Sequence, residues 1–509
     1  MSGSTTGVFI GGLPAASAVS TADIFPLVQG ATIGTPGTGT TRYATVAQCL
    51  ANVPPGADSY PVLNNIAALV SYSGPAQVLF VSGYYTSGDG GQGSFFLANG
   101  DTTSITDGGT VIVTSQGQRW YRDTLNCGVY SVAWFGAIAG HGDATANIQQ
   151  CVNVAQTRGA AVYFPGSPAV YTVSTPISIT APGEIFGDAN VSQIQTTSAV
   201  QDIFLVTGSF VTIHDLVFSS AAATQTAGAF IDLKAVSNIQ IYNCAFNGWF
   251  FAIYASALFI SILRIDECKF NSGAPSTGIG IQINAGANIY ITNIVHDAPS
   301  PGPFPLAAIN IPSCADVTIR GAGIDHANTG LLLNPQSGQF VNSVYCTDCF
   351  FDQCGQYGML VYGTGTGAVL RSRFVGCWFS SNGIDGVAIN NPATGTVSGL
   401  EFVGCHIFGN TSNGVYLAYG LNYTFTGCQV AGNGTAAISL TPGISNVTVV
   451  GCTLGPSGGF GPNQYGMFIS AGPSDHYIVA NNQLQGNSTS PFINGGTGSD
   501  TITTPNLLA

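Results

Sequence analysis

The chain has 509 residues, of which only 6% are charged, and it carries a net charge of −13 with 10 Lys and Arg against 23 Asp and Glu. So few cations exclude the basic face that duplex DNA or RNA requires, and 45% hydrophobic residues exclude a disordered chain. The length allows two to four domains, and the low charge suits a rigid elongated fold surfaced by Ser, Thr, Asn and Gln.

Residues 1–60 read as a separate piece, with a short strand in Ala22–Gly30 and a second run in Thr41–Gln48, split by a Gly/Thr/Pro stretch. No basic stretch precedes an apolar run at the start, so no signal peptide is expected. Residues 61–125 read as a small β unit. It has a short helix within Leu63–Val70, strands at Val78–Val81, Ser94–Leu97, Val111–Val113 and Arg119–Arg122, and Asp89 and Asp107 as turn formers beside glycines. In residues 127–175, Asp143 or Thr145 can cap a helix over about 145–157, with Ile148, Val152 and Ala155 on one face. That helix would plug the open end of a coil of strands whose first member is Val162-Tyr163-Phe164.

From there to about residue 490 the sequence repeats. Frames of a small or polar residue, a Cys, any residue and a large apolar one recur at Cys244, Cys268, Cys349, Cys377, Cys405, Cys428 and Cys452. The last four steps are 28, 28, 23 and 24 residues, and the gap of 81 from Cys268 to Cys349 holds weaker frames at Asn293–His296 and Gly321–Ile324. A drifting period in this range signals a solenoid. Runs such as Asn288-Ile289-Tyr290-Ile291 and Asp316-Val317-Thr318-Ile319 alternate as half-buried strands do. No single turn can bury its apolar face, so turns stack about 4.8 Å apart, as a parallel β-helix. Cys then fills one inward column as a small hydrophobe. With 13 Cys on the coil's spacing, no disulfide framework is expected, and free thiols point to assembly in a reducing compartment. No metal or cofactor is expected either: Cys346-Thr347-Asp348-Cys349 stands alone, and residues three apart on a strand face opposite sides. The apolar stretch Trp249–Leu263 has 15 residues, too few for a membrane span, and reads as coil. Residues 491–509 read as a polar C-terminal tail.

Three stretches resemble known families. Asp23-Ile24-Phe25-Pro26-Leu27-Val28-Gln29-Gly30 followed by Thr41–Gln48 resembles virion-attachment segments of bacteriophage tail proteins. The glycine-rich run Ser87–Gly93, Asp107–Ile112 and Arg119-Trp120 resemble the domain that precedes the β-helix in phage tailspikes. Trp134-Phe135-Gly136-Ala137, Gly142–Gln150 and Val162–Gly166 resemble the entry motif of the pectate-lyase-type β-helix superfamily. His141, Ala144 and Thr145 replace that motif's acidic cluster, which argues against carrying a family metal over. The resemblance implies an all-β protein: a right-handed single-stranded parallel β-helix at 126–490 behind a virion anchor at 1–60 and a small β domain at 61–125. It also implies a homotrimer on the virion tail, assembled in the host cytoplasm, attached through its N-terminus to tail or adaptor proteins and bound to a host surface glycan.

The residue after each frame's apolar position forms a column: Asn247, Asn271, Asp297, Asp325, Asp352, Ser380, Phe408 and Ala431. Three consecutive turns place Asp there, with neighbours about 5 Å apart if the register holds. Glycosidases use carboxylate pairs at about such spacings, and stacked like charges raise one another's pKa, which makes a proton donor. Asn and Asp are also ordinary turn formers, so the same column can be a plain ladder. His296 and His326 flank it, and His326, Arg320, Arg371, Arg373 and Tyr362 are the candidate substrate-binding residues. A lyase would need a base and a cation at a uronate; with only Lys234 and Lys269 as lysines it is the weaker reading. The expectation is a tailspike that recognises a host polysaccharide and hydrolyses it with Asp297, Asp325 and Asp352. The alternative is a non-catalytic receptor-binding or structural tail protein on the same fold.

Overall fold

The computed structural model describes residues 60–124, 128–222, 225–256, 259–300, 302–390, 395–498, 501–503 and 505–508, together with the strands Ile24–Gln29 and Thr40–Thr45. Those two strands pair antiparallel, Ile24 opposite Thr45. The rest of the expected virion-attachment segment lies outside the described residues.

Residues 62–122 form a mainly antiparallel 5-stranded sheet with its own core of Ile66, Leu69, Leu79, Val81, Phe95, Ile112 and Trp120. Its turns are built on carboxylates. Asp89 accepts backbone N–H bonds from Tyr84, Tyr85, Thr86 and Gly91, and Asp107 from Gly109, Thr110 and Val111. A helix at Thr145–Arg158 follows, burying Ile148, Cys151, Val152 and Ala155 against the first turn of the coil. Asp143 accepts from the Thr145 backbone at 3.0 Å, and Gly159, at φ 65°, ends the helix in the left-handed conformation that glycine adopts without strain.

The coil consists of three parallel sheets of 11, 13 and 15 strands, each strand pairing with its counterpart one turn away. The frames have a backbone cause. From Asp215 on, the chain leaves successive strands of the 15-stranded sheet through one residue with positive φ: Asp215, Asn243, Glu267, Asn293, Gly321, Asp348, Gly376, Gly404, Gly427, Gly451 and Asn481. Gly, Asn and Asp tolerate that conformation, which explains the small or polar first position. The next residue points inward. Its thiol, when Cys, reaches a carbonyl of the preceding turn, as Cys377 does to Cys346 at 3.4 Å and Cys405 to Phe374 at 3.4 Å. All eleven described cysteines are buried and unpaired.

The corner also overturns one expectation. Because Asp348 bends the chain at φ 53°, Cys346 and Cys349 both face the core, and with Cys377 their sulfurs lie within 4.8 Å of one another. The donor set suits a soft metal ion, though Cys349 and Cys377 already contact carbonyls of Ile319 and Cys346.

Inside, aromatic rings stack from turn to turn: Phe218–Phe246–Phe270 at 5.3 and 5.1 Å, and Phe374–Phe402–Phe425 at 4.8 and 5.0 Å. A buried amide ladder, Asn382–Asn410–Asn433–Asn463, runs up another corner with links of 2.8, 2.9 and 3.0 Å. The described residues of Trp249–Leu263 include the end of the strand Ala245–Trp249, the strand Phe251–Ala255 and the start of Ile260–Asp266, and no helix among the described residues is long and apolar enough to cross a membrane. The segment expected to be a polar tail continues the coil instead. Ser490–Gly496 pairs with Tyr465–Gly472, and Leu507 bridges Gln483. Backbone pairing does not need the apolar alternation that the tail's sequence lacks.

Candidate functional site

The acidic column stands in register on the 11-stranded sheet. Asp297 pairs with Asp325, Asp325 with Asp352, Asp352 with Ser380 and Ser380 with Phe408. Parallel strands set neighbouring members about 4.8 Å apart. Towards the N-terminus the column is broken: a register shift after Phe246 pairs Asn247 with Ser272, although Asn271 still donates to the Asn247 side chain at 3.0 Å.

The three carboxylates differ in setting. The Asp297 side chain is 61% exposed and accepts from His326 Nδ1 at 3.0 Å, while the His326 ring packs on Phe304. Asp352 accepts from the Ser380 hydroxyl at 2.7 Å. Asp325, half-buried between them, has its pKa raised, first by burial and then by the neighbouring charges of Asp352 and Asp297, with His326 opposing. That is the environment of a carboxyl that keeps its proton.

His296 lies elsewhere than its place in the sequence suggests. It sits in the core at the position that Phe270 and Ile324 occupy in the adjoining turns, 1% exposed. Its Nδ1 donates to the Asp325 carbonyl at 2.9 Å, because a carbonyl can only accept. Its Nε2 and the Trp249 indole Nε1 are both buried with no hydrogen-bond partner among the described residues, their rings edge to face at 5.8 Å. Burial brings the His296 pKa down to about 4.

The other candidates do not converge here. Arg320, Arg371 and Arg373 project from strands of the 15-stranded sheet, where Arg371 donates to Asn342 at 2.9 Å and Arg373 pairs with Glu401 at 3.4 Å. Tyr362 is exposed just past the strand Tyr357–Val361 of the 13-stranded sheet. No hydrogen bond or ion pair among the described residues joins any of these four to the column. Arginines one to five residues before a frame share its turn in sequence, but each turn has three faces, and sequence distance does not say which.

A second constellation escaped the sequence reading. His214 is held by two carboxylates, Nδ1 at 2.7 Å from Asp215 and Nε2 at 3.0 Å from Glu184, and its ring stacks between Phe186 and Tyr242 at 5.3 and 4.5 Å. Glu184 and His214 come from strands paired one turn apart. A stricter alignment of Glu184–Phe186 with Thr212–His214 would have placed them together. A cleft of about 360 Å³ between Val397, Tyr419 and Pro442 is lined by no carboxylate among the described residues.

Comparison with known families agrees with this architecture in three segments. Residues 62–125 match the phage tail protein small four-stranded β-sheet domain, 129–349 the pectate-lyase-like rhamnogalacturonase A/epimerase family, and 347–508 the right-handed β-helix region. Together they describe a right-handed, pectate-lyase-like β-helix behind a sheet domain of the phage tail protein type. A phage-tail-type sheet domain thus precedes a right-handed β-helix in one chain.

No curated protein sequence matches the chain. Among solved structures, the A-module of Azotobacter vinelandii mannuronan C-5 epimerase AlgE4 shares the fold at 17% identity and a TM-score of 0.52, covering 74% of this chain and 100% of that one. The Acinetobacter phage vB_ApiP_P1 tailspike is similar at 18% identity and 0.48, covering 77% of this chain, which spans 67% of that tailspike. The tailspike gp49 of Acinetobacter baumannii bacteriophage Fri1, a capsular polysaccharide depolymerase, is similar at 13% identity and 0.43, covering 88% of this chain and 76% of that one.

Proposed function

We propose that the chain is the spike with which a phage tail recognises a host surface polysaccharide and cleaves it by hydrolysis on the acidic column. The observation that carries the reading is the register-matched stack Asp297–Asp325–Asp352, with the central carboxyl half-buried and its pKa raised by that burial and then by its neighbours. Asp325 protonates the glycosidic oxygen. Asp352, its register partner on the next turn and oriented by Ser380, attacks the anomeric carbon as the second carboxylate of a retaining pair does. Water then releases the glycosyl ester, with Asp325 as base. Uronate-lyase chemistry fits less well, because Arg320, Arg371 and Arg373 stand on another sheet. The spike works as a homotrimer on the virion tail, folded in the host cytoplasm and held through residues 1–60, with 62–125 as the joint to the helix.

The bonds Ser380–Asp352 and Asn271–Asn247 favour a second reading, in which the column is a self-satisfied corner ladder on a spike that only binds. The test is depolymerisation of a panel of purified bacterial surface polysaccharides by wild type and Asp325→Asn. Oligosaccharides from wild type alone, with the anomeric configuration retained by NMR, support hydrolysis on the column. Binding without cutting leaves the second reading. Equal cutting by both proteins removes the column from the chemistry.

A further inference from the structure

Beside the acidic column runs a second outward column on the same strands, two residues earlier: Lys269, Val295, Gly323, Phe350, Trp378 and His406, paired turn to turn. From Phe350 onward it is a stack of rings, Phe350–Trp378 at 5.9 Å and 29° and Trp378–His406 at 5.4 Å and 21°. The stack stops at Gly323, and the apolar residues on either side of the break are unusually bare, Phe350 51% and Val295 46% exposed.

Nothing in the fold asks for glycine there. Its φ lies outside the left-handed region, and a Cβ at this position would meet nothing within 4 Å. The missing side chain leaves a slot between Val295 and Phe350. These residues are two strand spacings apart, about 9.6 Å. A flat ring in van der Waals contact with both walls, at about 3.5–4.0 Å each, needs about 7–8 Å. Asp325 faces the same way two residues further along the same strand, about 7 Å from Gly323. A ring lying across the slot therefore has one edge at the carboxyl with the raised pKa.

We propose that the Gly323 slot is the subsite for one uncharged pyranose ring of the glycan, its C–H face stacked on the open face of Phe350 and its edge presented to Asp325. The claim rests on the column being the catalytic site and names what it takes. The slot's walls are apolar and three carboxylates border it, so a neutral hexose fits and a uronate is repelled. The one lysine or arginine in the slot's own column is Lys269, two turns away.

The experiment uses the full chain, the same polysaccharide panel sorted into neutral and uronate-bearing members, and the variants Gly323→Val and Phe350→Ala. Valine suits a strand and has free space, so the melting temperature should not fall. Gly323→Val should lower affinity for oligosaccharide about tenfold or more on an Asp325→Asn background and abolish cutting on the wild-type background. Phe350→Ala should weaken binding about tenfold through the lost stacking face. Wild-type binding and cutting by Gly323→Val would overturn the slot while the column stands, since Asp325→Asn reports on the column separately. Cutting confined to uronate polymers would overturn the neutral occupant. Failure of wild type to bind or cut any polysaccharide would remove the catalytic reading, and the slot with it.

Discussion

His296 makes the folded chain acid-sensitive in a calculable way. Unfolded, the imidazole titrates at 6.5; in the core burial brings it down to about 4. A group whose folded pKa is depressed resists the proton that the unfolded chain accepts. Stability is therefore whole above pH 6.5, falls as pH drops towards 4, and stops falling from this source below about 4. The gap, at about 1.36 kcal/mol per pH unit, comes to about 3 kcal/mol. At about 2.1 cal/mol/K per residue of unfolding entropy, a coil of this length loses roughly 1 °C per kcal/mol, so about 3 °C if it melts as one unit and more if fewer turns melt together. The variant His296→Phe carries the ring of Phe270 into the next turn and removes the titration, while giving up the bond to the Asp325 carbonyl, worth about 1 kcal/mol. Calorimetric melts at pH 7.5, 6, 5 and 4 should show the wild type losing about 3 °C more than the variant across that range, after allowing for the carboxylates common to both. Parallel curves would mean that the imidazole is not held neutral in the core, and would refute the account of His296.

Other consequences are open to direct measurement. Asp325→Asn should abolish depolymerisation while leaving binding within about twofold, read by oligosaccharide release and by titration. Because the charge on Asp297 helps raise the Asp325 pKa, Asp297→Asn should move the alkaline limb of the pH–rate profile to lower pH, the acid then losing its proton earlier. Asn410→Ala removes a member of the amide ladder that serves Asn382 N, Asn382 Nδ2 and the Phe379 carbonyl, and should cost about 3 kcal/mol or more in thermal or urea unfolding. The eleven described thiols should not react with Ellman's reagent in the folded protein and should react on unfolding, since each is buried.

The solenoid was legible because one turn's geometry recurs. The same left-handed corner favours Gly, Asn or Asp before the Cys of each frame, with Glu267 as the exception, so the frame is visible without alignment. The acidic column was legible for the same reason, as a fixed offset from the frame. The Asn382–Asn410–Asn433–Asn463 ladder was not, because Asn is equally at home in an exposed turn, and only burial separates the two. The sides taken by Arg320 and Tyr362 were hidden as well. A turn has three sheets joined by corners of varying length, and a drift of one or two residues at a corner moves a side chain to a different face. His296 was misread as a flank for a subtler reason: it stands at the frame's apolar position, which its chemistry disguises.

In a stacked coil each column meets the same surroundings turn after turn, so its composition is set by those surroundings, and a departure needs its own cause. Three departures concern the carboxyl of one turn. His296 interrupts an inward column of Phe and Ile and hydrogen-bonds the Asp325 carbonyl; Gly323 interrupts an outward column of Val and Phe two residues before Asp325; and Asp325 sits where neighbouring charges raise its own pKa. None of the three improves the core. A buried imidazole is less favourable there than phenylalanine, a glycine within a strand costs chain entropy on folding, and stacked carboxylates repel. Each cost taken alone has a local excuse in the tolerance of a long solenoid. Their convergence on two adjoining turns is accounted for by a single demand, that a proton-bearing carboxyl be held still beside an open slot. The corner ladder of Asn247 and Asn271 needs no such demand, and it is where the register slips.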